Sequence, residues 1–261
     1  MTASDKHYAW FHGLPGTPEE FDTFAPAPLG ARTIRIDRLA AAGPTYEQAL
    51  LSAFDEATRS VKAPMVLIGF SLGAMAALHV AARRPERTAR VLLASPASPL
   101  ELGDFLPSMA GRMVFETARR GGWALQALST VQLAISTLNW RFLQSQMLNG
   151  VSPAERSLME QPAASTALRE GLRTCLGARR HAYHRELQTY VQPWSAILKD
   201  VASDVEIWQG TQDTWAPPAM AQALHNNLAP RAKRKSCEGL GHYSTLSAML
   251  KHMSGNETPA A

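Results

Sequence analysis

The sequence predicts an α/β fold in which helices cover both faces of a mostly parallel sheet. Three observations carry this prediction: strand-like and helix-like segments alternate, a Gly-x-Ser-x-Gly pattern joins a strand to a helix, and one long helical stretch interrupts the alternation. Such alternation is typical of a parallel sheet that is buried on both faces. The predicted strands lie near residues 8–12, 32–36, 64–69, 89–94, 203–209 and 232–237, and the predicted helices near 45–60, 72–84, 217–228 and 243–252.

The stretch that interrupts the alternation spans residues 99–195. It contains almost no β-branched runs, and apolar residues such as Phe115, Leu125 and Leu143 recur in it at helical spacing. We therefore predict an α/β core over residues 1–98 and 196–261, with residues 99–195 as a helical insertion. Most apolar residues of the insertion are expected to pack it internally.

The Gly-x-Ser-x-Gly pattern is Gly69-Phe70-Ser71-Leu72-Gly73, directly after the apolar run 64–68. A serine on so tight a turn has a strained backbone, and its hydroxyl stands clear of the sheet. The flanking glycines fit this turn because a side chain there would crowd the neighbouring strand and helix. The pattern predicts a nucleophilic serine, with an ordinary strand-to-helix turn as the alternative.

A nucleophilic serine needs a base, and the base needs an acid that orients it. Asp213 and His242 each follow a predicted strand, and open α/β sheets place their sites at that end of the strands. The chain order is then Ser71, Asp213, His242. The sequence offers other candidates, but they lie in a tail, in helices or before a strand: His7, His79, His225, His252, Asp200 and Asp204.

A glycine-rich turn follows the first predicted strand, at Gly13-Leu14-Pro15-Gly16. Acyl transfer builds negative charge on a carbonyl oxygen, so fixed N–H donors must point at that oxygen. The N–H of Leu72 is one candidate donor and the N–H of Leu14 the second, since Pro15 has no N–H. A plain Gly/Pro turn remains the alternative.

Together these motifs resemble the α/β-hydrolase superfamily, most of all its capped, esterase-like or lipase-like members. The resemblance covers roughly residues 8–98 and 196–253. It implies that Ser71 is the nucleophile, His242 the base and Asp213 the acid. It also implies an oxyanion hole formed by the amides of Leu14 and Leu72, with His12 and Gly13 shaping the loop, and a helical cap at residues 99–195.

Two features depart from the pattern of this superfamily. Only seven residues precede the first strand, so we expect the sheet to lack the two-stranded hairpin with which many members begin. The loop 38–44 replaces a glycine- and serine-rich turn, so substrate contacts from that region are not carried over.

Composition and charge limit the remaining classes of function. The net charge of +4 is small, and the arginine pairs are scattered rather than interleaved with aromatics, so we predict no nucleic-acid partner. Arginines of the insertion that face an anionic substrate are the alternative. No apolar stretch approaches 18 residues and the first seven residues lack an apolar core, so no membrane span or signal peptide is expected. The unpaired spacing of Cys175 and Cys237 favours a cytoplasmic protein.

No metal and no cofactor are expected. His181, His184 and Glu186 share a helical stretch but lack further ligands at a convincing spacing. The predicted function is a serine hydrolase that cleaves an ester or thioester of a small to medium apolar molecule. The alternatives are an amide or carbon–carbon bond hydrolase, an acyltransferase, and a ligand-binding receptor with little turnover. Oligomeric state is left open.

Overall fold

All six predicted strands form in the computed structural model, which describes residues 7–255. They build a single sheet with the order β2-β1-β3-β4-β5-β6, and every neighbouring pair is parallel. The strands are β1 (Tyr8–Phe11), β2 (Thr33–Arg35), β3 (Met65–Phe70), β4 (Thr88–Ala94), β5 (Val205–Gly210) and β6 (Ala232–Cys237). The predicted fold class is confirmed.

Six helices flank this sheet. The four predicted ones are α3 (Tyr46–Ala57), α4 (Gly73–Arg83), α11 (Pro218–Leu228) and α12 (His242–Gly255). Two short helices were not predicted, α1 (Glu20–Phe24) and α2 (Ala27–Gly30), because one turn is too short for an amphipathic period to show. Contacts place α3, α4 and α11 on one face of the sheet and α1, α2 and α12 on the other.

Residues 99–195, which we call the helical segment, contain six α-helices and no strand. They are α5 (Arg112–Arg120), α6 (Gly122–Leu138), α7 (Trp140–Met147), α8 (Pro153–Met159), α9 (Pro162–Leu176) and α10 (Arg180–Tyr190). The segment contacts the rest of the molecule through α8 against α12, α9 against α1, and α10 against α3.

The interior strands are apolar because parallel strands are covered on both faces. Every residue of β1 is buried, and α4 is buried from Gly73 to Ala82. The edge strand β6 instead exposes Lys233, Arg234 and Lys235, charges that oppose edge-to-edge pairing.

The strand order positions the site. From β1 the chain moves to β2 on one side and then returns to β3 on the other, with Phe11 opposite Gly69. Ligands of open α/β sheets bind at such a reversal, beyond the carboxyl ends of the strands. The residues after Phe11 and those after Phe70 therefore lie side by side.

Three further features concern residues 7–255. None of their helices combines the length and the hydropathy needed to cross a bilayer. No cluster of three or more His, Cys, Asp or Glu side chains among them could hold a metal ion. Cys175 and Cys237 are both buried and unpaired.

Candidate active site

Ser71 lies on a strained turn between β3 and α4. Its φ angle is 54°, in the left-handed region that non-glycine residues rarely adopt. The surrounding backbone holds this conformation: the Ser71 N–H donates to the carbonyl of Ala94, and the Ser71 carbonyl accepts from the N–H groups of Ala74 and Ala97. The side chain lines a cavity at the end of the sheet.

The glycines beside Ser71 are required by close packing, as predicted. A Cβ at Gly73 would lie 2.1 Å from the carbonyl oxygen of Phe11. A Cβ at Gly69 would lie 2.8 Å from the carbonyl oxygen of Gly73. Any larger residue at either position would push the turn away from β1 or from α4.

His242 and Asp213 are in direct contact. The His242 Nδ1 donates to Asp213 Oδ2 at 2.8 Å, and both side chains are buried. The other carboxylate oxygen, Asp213 Oδ1, accepts from the backbone N–H groups of Trp215 and Ala216, each at 2.9 Å. Asp213 is thus held by N–H donors on both of its oxygens and fixes which nitrogen of the imidazole carries the proton.

Aromatic rings enclose the imidazole of His242. The ring centroid of Phe70 lies 4.8 Å from it and that of Trp215 lies 5.3 Å from it. Among the described residues, the Ser71 hydroxyl makes no hydrogen bond to His242 or to any other group. In structures without substrate, the hydrogen bond between a nucleophile and its base is often long, and it shortens when substrate binds.

Two backbone amides line the cavity beside Ser71: that of Leu14 in the loop after β1 and that of Leu72 at the head of α4. Neither the N–H of Leu14 nor that of Leu72 donates to any group within residues 7–255, whereas the N–H of Gly13 donates to Glu20 Oε1 at 3.0 Å. Leu14, Ser71 and Leu72 line the same cavity. Gly13 also keeps space for the neighbouring ring, since a Cβ there would lie 3.0 Å from Phe70.

His12 lies at the start of this loop and bonds its backbone. It is fully buried, and its Nδ1 donates to the Gly13 carbonyl at 2.7 Å. Burial and the nearby Arg38 guanidinium hold the pKa of His12 well below its ordinary value, which favours the neutral ring.

Two buried charged side chains support the loop, Glu20 and Arg38. Burial raises the pKa of Glu20 to about 7, although the Gly13 N–H and the nearby Arg38 and His242 act in the opposite direction. Arg38 donates to the carbonyls of His12 and Gly13 and forms an ion pair with Glu186 of α10, with Nε 2.6 Å from Oε1. Burial raises the pKa of Glu186, and Arg38 opposes that shift.

The start of α12 is held on both sides. The Ser95 hydroxyl donates to the carbonyl of His242 at 3.1 Å. The carboxylate of Glu155, from α8, accepts the N–H groups of Tyr243 and Ser244, each at 2.8 Å. The helical segment therefore contacts the residues directly after His242.

The cavity beside Ser71 has a volume of about 300 Å³ and lies between the sheet and the helical segment. Its wall is mostly apolar, and among the described residues no charged side chain lines it. Gln132, Gln146 and Tyr183 are its larger neutral polar side chains. Such a cavity suits an apolar molecule that carries a few hydrogen-bonding groups.

The other candidates for base and acid lie in other surroundings. His79 lies on α4 with its Nδ1 3.1 Å from Glu47, and Asp200 forms an ion pair with Arg83. His184, which the sequence offered only as a possible metal ligand, contacts the hydroxyl of Ser129 at 2.7 Å. Among the described residues, no hydrogen bond or ion pair joins His7, Asp204 or His225 to Ser71, and the ring of His252 packs against Trp208, with the centroids 5.1 Å apart.

Sequence reasoning missed the buried contacts of Glu20, Arg38, Glu155 and Glu186, although it considered Glu186 as a possible metal ligand. Charged residues in helices and loops are usually solvated, so nothing in their local pattern marks them as buried. Only Arg38 had a signal, since it begins the loop that departs from the superfamily pattern. Their roles depend on contacts between distant parts of the chain.

Comparisons with known proteins agree with this architecture. A putative lipase from Acinetobacter baumannii is 16% identical and has a TM-score of 0.67, with 98% of this chain and 83% of that chain covered. An esterase from Thermogutta terrifontis is 15% identical with a TM-score of 0.64, covering 98% and 89%. Est816, described as an N-acyl homoserine lactone degrading enzyme, is 16% identical with a TM-score of 0.65, covering 96% and 92%.

At these identities the solved structures show a common fold. None of the curated protein sequences compared with the chain matches it significantly. Residues 10–251, however, match the profile of one family along nearly the whole described chain. The protein belongs to the alpha/beta hydrolase family.

Proposed function

We propose that the protein is a serine hydrolase that cleaves an ester or thioester of a small to medium apolar molecule. The observation that carries this proposal is the Asp213–His242 hydrogen bond, with the His242 ring packed against Phe70, the residue before the strained Ser71. An oriented imidazole beside a serine on such a turn is the arrangement that acyl transfer requires.

In the proposed mechanism, His242 takes the proton of Ser71 as the hydroxyl oxygen attacks the carbonyl carbon. The negative charge that develops on the carbonyl oxygen is stabilised by the free N–H groups of Leu14 and Leu72. Asp213 stabilises the imidazolium, which then protonates the leaving group. Water attacks the acyl-enzyme with His242 again as base, and the acid is released. No step needs a cofactor or a metal.

The helical segment is proposed to act as a cap over Ser71, with the α/β core formed by residues 1–98 and 196–261. This assignment is supported by the cavity, whose wall combines Ser71 and Trp215 with Met109, Phe115, Leu143 and Leu172 of the segment. A cover of this kind excludes water and shapes a pocket for the acyl or alcohol part of a substrate. The uncharged wall favours a neutral substrate over an anionic one.

The other chemistries remain alternatives. The same residues could cleave an amide or a carbon–carbon bond or transfer an acyl group, and a receptor with little turnover could keep them. The similarity to an N-acyl homoserine lactone degrading enzyme adds lactones to the esters worth testing. A reducing, cytoplasmic location is supported by the two free cysteines.

The nucleophile is tested with a fluorophosphonate probe and peptide mapping. We expect the probe to label Ser71, Ser71→Ala to lose the label, and Ser98→Ala, a change at another buried serine, to keep it. Turnover is then measured on p-nitrophenyl esters of graded length, acyl-CoA thioesters and lactones. A label on another residue, or no label on folded protein, would contradict the assignment of the nucleophile.

A further inference from the structure

We propose that Glu155 of the helical segment is a positioning residue for His242. This inference rests on the proposed function, because it concerns the alignment of the proposed base. The contact joins α8 to the first turn of α12, although Glu155 and Tyr243 lie 88 positions apart in the chain.

The carboxylate of Glu155 accepts two backbone hydrogen bonds at once. Oε1 lies 2.8 Å from the N of Tyr243, and Oε2 lies 2.8 Å from the N of Ser244. These residues directly follow His242, the first residue of α12. The first N–H groups of a helix have no partner within the helix, and a negative charge there is favoured by the helix dipole.

The contact is closely packed. A Cβ at Gly241 would lie 2.9 Å from the Cβ of Glu155 and 3.0 Å from its Oε2, so the loop before His242 lies directly against this side chain. Glu155 is 2% exposed, and it forms no ion pair with any described residue. A buried carboxylate is costly unless hydrogen bonds compensate for its lost hydration, and here the compensation comes from these amides.

Glu155 acts on the backbone that follows His242, whereas Asp213 acts on its imidazole ring. Asp213 holds the ring through Nδ1, and Ser95 binds the His242 carbonyl. Glu155 fixes the two peptide groups that follow His242 and thereby the direction in which α12 begins. A displacement of about 1 Å at a catalytic group can cost on the order of 100-fold in rate.

The test compares Glu155→Gln and Glu155→Ala with Glu160→Gln, a matched control at an exposed residue just after the same helix. We expect kcat to fall about 10-fold for Glu155→Gln, which keeps one acceptor oxygen, and about 100-fold for Glu155→Ala. KM should stay near its original value, because Glu155 does not line the cavity. Glu160→Gln should leave both constants unchanged.

Amide hydrogen exchange gives a readout that does not depend on turnover. We expect the amides of Tyr243 and Ser244 to exchange faster in both Glu155 variants and unchanged in Glu160→Gln. If the original protein hydrolyses none of the test esters, the proposed function fails while the exchange data still report on the contact. If the original protein is active and a folded Glu155→Ala keeps its kcat, the positioning role is overturned and the proposed function stands.

A second variant covers the case in which Glu155→Ala does not fold. Gly241→Ala leaves Glu155 and His242 in the chain but inserts a methyl group between the loop and the carboxylate. We expect this variant to lower kcat and to expose the Tyr243 and Ser244 amides to exchange. Full activity of folded Gly241→Ala and folded Glu155→Gln together would overturn the proposal.

Discussion

The α/β core and the helical segment meet at one cavity but are built differently. In the core, α4 is buried along nearly its whole length. In the segment, α6 leaves Trp123 80% exposed and Leu138 86% exposed. Among the described residues, all the exposed large hydrophobic side chains lie in this segment: Met113, Trp123, Val131, Leu138 and Phe142.

On its inner side the helical segment also buries polar contacts with the loops of the candidate site. Glu155 binds the start of α12, and Glu186 binds Arg38, which in turn holds the carbonyls of His12 and Gly13. The difference teaches that the segment lines the cavity and also holds the loop after β1 and the start of α12. Replacing it by a short linker would also remove the carboxylates that support the proposed base and the loop of Leu14.

The largest stability effect is expected at the Arg38–Glu186 ion pair, whose side chains are 0% and 2% exposed. Glu186→Gln leaves the Arg38 charge buried without its partner, which should cost about 3–5 kcal/mol of unfolding free energy. The exposed pair Arg59–Glu56 is the control, since Glu56→Gln should cost about 0–1 kcal/mol. Denaturant unfolding of both variants measures the difference. Equal, small losses would show that the segment is not held by this buried pair.

A smaller, pH-dependent effect is expected at Glu20, a buried carboxyl on the core side of the same loop. Its pKa is raised from 4.5 to about 7, so between these values the folded protein binds a proton more tightly than the unfolded chain does. Stability from this group is therefore complete below about pH 4.5 and is lost as pH rises through 7, by up to about 3 kcal/mol.

The measurement is denaturant unfolding at pH 5 and pH 8. Glu20→Gln keeps an acceptor for the Gly13 N–H but cannot ionise, so it should lose less stability than the original protein over this range. Glu160→Gln, at an exposed residue that does not act on the Glu20 pKa, should behave like the original protein. An unchanged pH dependence in Glu20→Gln would mean that Glu20 does not ionise within this interval.

The smallest effect is expected on ester chain-length preference, from the part of the cavity wall that the helical segment supplies. Each methylene buried there should contribute about 0.8 kcal/mol, or roughly fourfold in kcat/KM, until the cavity is full. Leu143→Trp should shorten the preferred ester by one or two carbons, because Leu143 lines the cavity. Leu138→Trp, the same substitution at an exposed site, should leave the series unchanged. If both variants prefer the same ester length, the acyl pocket would lie in the core.

The core was predictable because its signals are local. The central strands are short apolar runs, and each predicted element lies within about three residues of its observed position. The turn at Ser71 was predictable for a similar reason, since its two glycines and its strand–helix setting are adjacent in the chain. The short helices α1 and α2 were not, because a single turn carries no period.

The candidate site was only partly predictable. Asp213 and His242 were predicted from their places after strands, and the structure brings them together. The catalytic roles of Ser71, Asp213 and His242, and those of the Leu14 and Leu72 amides, stay predictions until activity is measured. The boundary between core and cap stays a prediction as well.

By itself the sequence determined the fold class, because apolar periodicity and turn chemistry act over a few neighbouring residues. Its motifs also indicated the family and predicted the residues that are proposed to carry acyl transfer. Only the tertiary structure decided which carboxylates are buried and what they hold. Glu155 reaches the amides after His242, and Glu186 reaches Arg38 across 148 residues of chain. A charged residue in a helix has the same local pattern whether it faces water or another element, so burial and partner are set by packing alone.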